Sequence, residues 1–324
     1  MIHAIRFHQT GGPEVLRWEE VALPQPQPNE ATVKQHAVGL NFIDIYHRTG
    51  LYPVPLPSGI GLEGAGVVEA VGSAVTDLKP GDRVAYAGGP IGAYAEQRNI
   101  PADRLVKLPA ALSFEQGAAM MLQGMTAQYL LRRTYRVQAG DPILIHAAAG
   151  GVGLIVCQWA KALGATVIGT VSSDEKAALA KAHGCDHAII YTRENFTQRV
   201  KEITAGAGVP VVYDSIGKDT FTASLDCLRP LGLMVSFGNA SGPVPPFDLG
   251  ELSKRGSLFI TRPTLFGYVG PRSDLVQTAT ELFNMVTSGK VKIEVNQTYA
   301  LKDAAQAQSD LAVRKTTGST ILIP

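Results

Sequence analysis

The stretch HAAAGGVG, residues 146–153, decides the fold. An apolar run, Pro142-Ile-Leu-Ile-His146, leads into it, and LIVCQWAKALG (154–164) continues it with apolar residues at helical spacing. Strand, tight glycine turn and helix in that order open a dinucleotide-binding βαβ unit. In such a turn Gly150 and Gly151, with Val152 beside them, bring backbone close to a pyrophosphate, and Gly153 lets the helix pack on its strand. The helix N-terminus adds free N–H groups and the positive end of its dipole. Ala148 replaces the first glycine of Gly-x-Gly-x-x-Gly. No Gly-Lys-Ser/Thr follows, which excludes a P-loop.

Downstream the chain alternates apolar runs with helical segments: PILIHA, ATVIGTV, HAIIYT, VPVVYDSI, LMVSFGN and SLFITR. Strands buried on both faces read as continuous Val/Ile/Leu runs, so six of them separated by helices predict a doubly wound parallel sheet of the Rossmann type over residues 125–262. Upstream, EATVKQHAVGL, GAGVVEAVG and KPGDRVAYAG are short strands broken by Gly and Pro, and Ser113-Phe-Glu-Gln116 has the capping-box pattern of a helix start. After residue 262 come a long helix, a strand KVKIEV, another helix and a last strand STILIP. These are too few for a third domain, so residues 263–324 are expected to return and complete a β-rich domain with residues 1–124. A length of 324 residues suits two cores better than one.

About 20 residues past the glycines a dinucleotide site usually carries Asp or Glu for the ribose hydroxyls. Here the second strand ends GTVSSDEK, with Ser172 in that place and Lys176 one turn into the next helix. A carboxylate beside a 2′-phosphate would cost roughly 4 kcal/mol at about 4 Å and an effective dielectric of about 20. Its absence, together with the lysine, favours NADPH over NADH. Asp174 lies nearby, at a position that suits the start of the following helix. The net charge of +1 gives no general attraction for nucleic acid or anionic membranes, and no apolar run reaches the ~20 residues of a membrane span. Cys157, Cys185 and Cys227 lie far apart without a Cys-x-x-Cys pair, which fits small core residues in a reducing, cytoplasmic compartment.

The segment GDPILIHAAAGGVGLIVCQWAK (140–161) resembles the quinone oxidoreductase/zeta-crystallin signature of the zinc-independent medium-chain dehydrogenases/reductases. The resemblance runs from GGPEVL (11–16) through NFIDIYHRTGLYP (41–53) and VVYDSIG to GLMVSFGNASG (232–242), and is closest to the bacterial quinone oxidoreductases. It implies a GroES-like substrate domain, a Rossmann domain, NADPH, and a homodimer formed through the Rossmann sheet edges. Zinc-dependent relatives carry Gly-His-Glu-x-x-Gly in the first domain. The matching GLEGAG has Leu62 in the His place, Asn41 stands in the Cys place, and a third ligand position falls near Gln123. Glu63 alone cannot hold zinc, so no metal site is expected and alcohol dehydrogenase chemistry is not.

Without a Lewis acid the acceptor must already be electrophilic, as quinones are. The protein then chiefly aligns cofactor and acceptor, which supplies ~7–11 kcal/mol of the barrier. The expected reaction is hydride transfer from NADPH to a quinone in the cleft between the two domains, with Asn41, Tyr46, Tyr52 and Arg262 as donors toward the developing oxyanion. The resemblance places Asn41 and Tyr52 near the nicotinamide, Tyr129 and Tyr191 on the cofactor, and Arg314 as a contact from the substrate domain, with Lys315 an equal candidate. Ser215, Phe237, Gly238 and Ser241 follow the later strands, where ligands of open α/β sheets bind. His146, at the end of a buried strand, reads as structural. Two alternatives stand beside this reading: an enone or alkenal double-bond reductase, with Tyr46 or Tyr52 giving the proton, and an NADPH-binding protein that interacts with RNA. Neither a basic stripe nor interleaved aromatics support the latter.

Overall fold

The strand Pro142–Ile145 forms where Ile143, Leu144 and Ile145 expose no surface. It lies at the centre of a six-stranded sheet in a computed structural model that describes residues 1–324. In chain order the strands are Pro142–Ile145, Thr166–Val171, His187–Ile190, Val209–Asp214, Leu228–Ser236 and Phe259–Thr261, and they lie in the spatial order third, second, first, fourth, fifth, sixth. All five pairings are parallel. The order reverses between the first and fourth strands, where Ile145 pairs with Tyr213 and the His146 N–H donates to the Tyr213 carbonyl at 3.0 Å. Ligands of open α/β sheets bind beyond the strand ends at such a reversal. Leu144, Ile168, Ile189, Val212, Phe221 and Met234 fill one face of this sheet. The sixth strand is an edge on which Phe259 and Ile260 keep 59% and 37% of their surface exposed.

The chain divides into two compact units. One holds residues 126–268 with 288–292, the other residues 1–125, 269–287 and 293–324. The nucleotide unit thus runs six residues beyond the expected 262. The reason is a short helix, Leu265–Tyr268, that gave no sequence signal: Tyr268 stacks on Tyr129 at 4.4 Å, and its carbonyl accepts from Arg133 at 2.7 Å. Residues 288–292 join the same unit because Gln158 exchanges two hydrogen bonds with the Lys292 backbone, at 3.0 and 2.8 Å.

The other unit is built on a sheet in which the long strand Glu30–Leu40 pairs with Glu63–Val71, Gln97–Pro101 and Ser319–Ile323, all antiparallel. Ser319–Ile323 in turn carries Val295–Ala300 as its parallel neighbour. The expected strand KVKIEV is displaced: residues 291–294 carry no ladder and the strand begins at Val295. Val291 and Ile293 are buried, so their alternation reports packing and not strand pairing. Phe7, Val33, Leu40, Tyr86, Tyr94, Ile100 and Leu322 form the core of this unit. No helix of the chain is long and apolar enough to cross a membrane.

Candidate active site

The glycine turn joins the first strand to the helix Gly151–Ala162. Gly150 is the N-cap and offers no side-chain oxygen, so the N–H groups of Gly151, Val152 and Gly153, which have no intrahelical partner, stay available to an anion. A Cβ on Gly153 would lie 2.3 Å from the Ala147 carbonyl oxygen, so only glycine lets the helix sit this close to the turn. Ala147, not Ala148, takes the left-handed conformation, with φ of 53°. Ala148 therefore costs nothing at the place of the missing glycine, and it packs where Gly169 of the second strand leaves room: a Cβ there would fall 2.5 Å from its own. This cradle fits a pyrophosphate.

At the end of the second strand, Ser173 caps the helix Asp174–Ala182 by accepting from the Lys176 N–H at 3.3 Å. Ser172 and Lys176 are half-buried and Tyr191 is exposed. The loop after the third strand is stitched to this one: the Tyr191 N–H reaches the Val171 carbonyl at 3.1 Å and the Thr192 hydroxyl the Ser172 carbonyl at 3.2 Å. Sequence reading missed Arg193, which grips both oxygens of Asp174 at 2.8 and 2.6 Å. The signal was available, because loops that follow adjacent parallel strands are neighbours.

Beyond the fourth and fifth strands, Ser215, Phe237, Gly238 and Ser241 come together. The Phe237 N–H donates to the Asp214 carbonyl, and a Cβ on Gly238 would meet the Ser215 carbonyl at 2.5 Å. Ser241 spends its hydroxyl on the loop itself, donating to the Ile216 carbonyl and accepting from the Asp219 N–H. Arg262 donates to the Ser236 carbonyl at 3.0 Å. Tyr129 is buried against Tyr268, and burial raises its phenol pKa, so it acts as a packed surface and not as an acid. His146 is structural: its ring nitrogens meet Thr170 and Ser224 hydroxyls at 2.9 and 2.8 Å, and burial lowers its pKa, which keeps it neutral.

The remaining candidates belong to the β-rich unit. Asn41 precedes the helix Phe42–Thr49, and its N–H donates to Asp44 at 2.9 Å. Its side chain donates to Glu63 Oε2 at 2.6 Å and accepts from Gln123 at 3.1 Å, while Ser319 donates to Gln123 at 2.8 Å. Asn41 and Gln123, the positions that the resemblance matched to metal ligands, thus converge with Glu63, Asn41 bonding to both of the others. Glu63 is fully buried. Desolvation raises its pKa to about 8 against the pull of Asn41 and the Leu122 N–H; likewise the Asp44 pKa is raised to about 7 by burial, although the Asn41 N–H and the Tyr94 hydroxyl bond it. Tyr46 is buried and Tyr52 half-buried, edge to face at 5.2 Å, with the Tyr52 N–H on the Tyr46 carbonyl. Arg314, with φ of 62°, is exposed in the same unit, and its rival Lys315 is held by Asp310 at 3.2 Å.

A chain that builds both a GroES-type β unit and a six-stranded dinucleotide sheet with an uncapped glycine turn has the make-up of a nucleotide-dependent dehydrogenase/reductase of the medium-chain class. Residues 27–110 match the model of the alcohol dehydrogenase GroES-like domain, and residues 151–285 that of the zinc-binding dehydrogenases. The chain is 57% identical to a quinone oxidoreductase of Pseudomonas aeruginosa over 325 residues, with each chain fully covered. It superposes on the Escherichia coli quinone oxidoreductase complexed with NADPH with a TM-score of 0.98 at 53% identity, covering 99% of this chain and 100% of that one. A 2-haloacrylate reductase from a Burkholderia species is 48% identical over 332 residues, covering 100% of this chain and 99% of the relative. The chain belongs to the quinone oxidoreductase family of the medium-chain dehydrogenases/reductases.

Proposed function

We propose that the protein is a metal-free NADPH:quinone reductase that works in the cytoplasm as a homodimer. The observation that carries the metal-free reading is the Asn41–Glu63–Gln123 cluster, in which Glu63 Oε2 accepts from Asn41 and Asn41 Oδ1 accepts from Gln123, so oxygens a zinc ion would need are already engaged. The N–H groups of residues 151–153 would hold the pyrophosphate. Ser172, Lys176 and Tyr191 would hold the adenosine ribose and its phosphate, and Tyr129, Ser215, Phe237, Gly238, Ser241 and Arg314 would line the rest. When bound, NADPH supplies a hydride. Asn41 has one more amide hydrogen than its bond to Glu63 uses, and with Tyr46, Tyr52 and Arg262 it would donate toward the acceptor oxygen as charge develops there. Three buried, free cysteines agree with a reducing compartment. The exposed apolar edge strand Phe259–Thr261 supports self-association.

The test is NADPH oxidation followed at 340 nm with benzoquinone, phenanthrenequinone and an enone in parallel, with NADH and a chelator as controls. Quinone-dependent turnover that survives the chelator and is poor with NADH is the expected result. Turnover with the enone alone would give the protein to the double-bond reductases. The observation behind that second reading is a relative named 2-haloacrylate reductase, a loose fit; such a reductase would use the Tyr46 or Tyr52 hydroxyl as proton donor.

A further inference from the structure

We infer that Arg193 is a cofactor-specificity residue, which clamps Asp174 and so masks the carboxylate that would otherwise repel a 2′-phosphate at the end of the second strand. The inference rests on the NADPH reading above and adds a residue to it. Asp174 opens the helix three positions after the strand end at Val171, on the side of the sheet where the adenosine ribose is expected. In the ribose site of an NADH enzyme a carboxylate is an asset. Beside a phosphate that carries close to two negative charges it is a liability.

The geometry disposes of that liability. Arg193 meets Asp174 with a two-point grip, Nη1 to Oδ2 at 2.8 Å and Nη2 to Oδ1 at 2.6 Å, the planar fork-to-fork arrangement that only arginine makes. The grip does not depend on two wandering side chains alone, since the Tyr191 N–H and the Thr192 hydroxyl tie the Arg193 loop to the Ser172 loop immediately beside it. Neighbouring carboxylates are also engaged: Glu194 accepts from the Ile190 N–H at 2.9 Å and pairs with Arg199 at 3.1 Å, and Glu175 is turned to Ser173. Asp174 keeps a purpose of its own, as an acidic residue in the first turn of its helix.

The test is a double-mutant cycle read by titrating NADPH and NADH separately into wild type, Arg193→Ala, Asp174→Ala and the double variant. Arg193→Ala is expected to weaken NADPH binding about three- to fivefold, the scale of a solvent-screened charge effect, and to leave NADH unchanged. Removing Asp174 as well should restore NADPH affinity to within about twofold of wild type. Arg193→Lys, which lacks the two-point fork, should fall between. Unchanged NADPH affinity in Arg193→Ala overturns the inference, as does an equal loss for NADH. So does a double variant as weak as Arg193→Ala, which would make Arg193 a direct phosphate ligand. Wild-type protein that binds the two cofactors equally well would overturn the NADPH reading itself, and this inference with it.

Discussion

Glu63 keeps its proton to about pH 8 in the fold, whereas an exposed glutamate loses it near 4.5. Between those values the native state holds a proton that the unfolded chain has released. Stability therefore falls as pH rises through that window and levels off above it; Asp44, raised to about 7, acts in the same direction. Glu63→Gln removes the larger of these contributions while keeping a partner for Asn41. Thermal unfolding from pH 5 to 9 should show the variant gaining on wild type up to about pH 8, and parallel curves would refute this. Asn41→Ala should be harsher, because it strips partners from both Glu63 and Gln123 inside the core. A loss of about 1–3 kcal/mol in denaturant unfolding is expected. The family resemblance matched Asn41 and Gln123 to metal-ligand positions. It could not show that they bind each other, since residues 41, 63 and 123 meet only through strand pairing and helix packing.

The glycine turn was the most legible element, because its spacing and its flanking apolar runs are local properties of the chain. The structure adds the unequal weights of its glycines. At Gly153 a Cβ would strike backbone at 2.3 Å, whereas at Gly150 the nearest atom is 3.2 Å away. Gly153→Ala should therefore cost about 1–3 kcal/mol of stability as well as cofactor affinity, and Gly150→Ala much less of the former. Calorimetry with and without NADPH separates the two effects. Less legible were elements whose signal lies in a distant partner: the Leu265–Tyr268 helix, fixed by Tyr129, and the strand at Val295, whose register is set by Ser319–Ile323 and not by the alternation just before it.

For the molecule as a whole, the open side of the six-stranded sheet is the feature that association would use. Phe259→Asp with Ile260→Asp should hold the protein as a monomer in sedimentation, with NADPH affinity retained; dimers that persist would send the interface elsewhere. Fold class, two-domain build and cofactor class followed from patterns within single segments. Boundaries between the units did not, since they depend on contacts such as Gln158 with Lys292. The pairing of Ser319–Ile323 with Glu30–Leu40 also sets an order of events during synthesis. Residues 126–268 emerge from the ribosome with nearly all their partners, and can fold at once. In the other unit Gln97–Pro101 soon covers residues 30–34 of the longest strand, but Val38–Leu40 lack a partner on that side until Ser319–Ile323 is made.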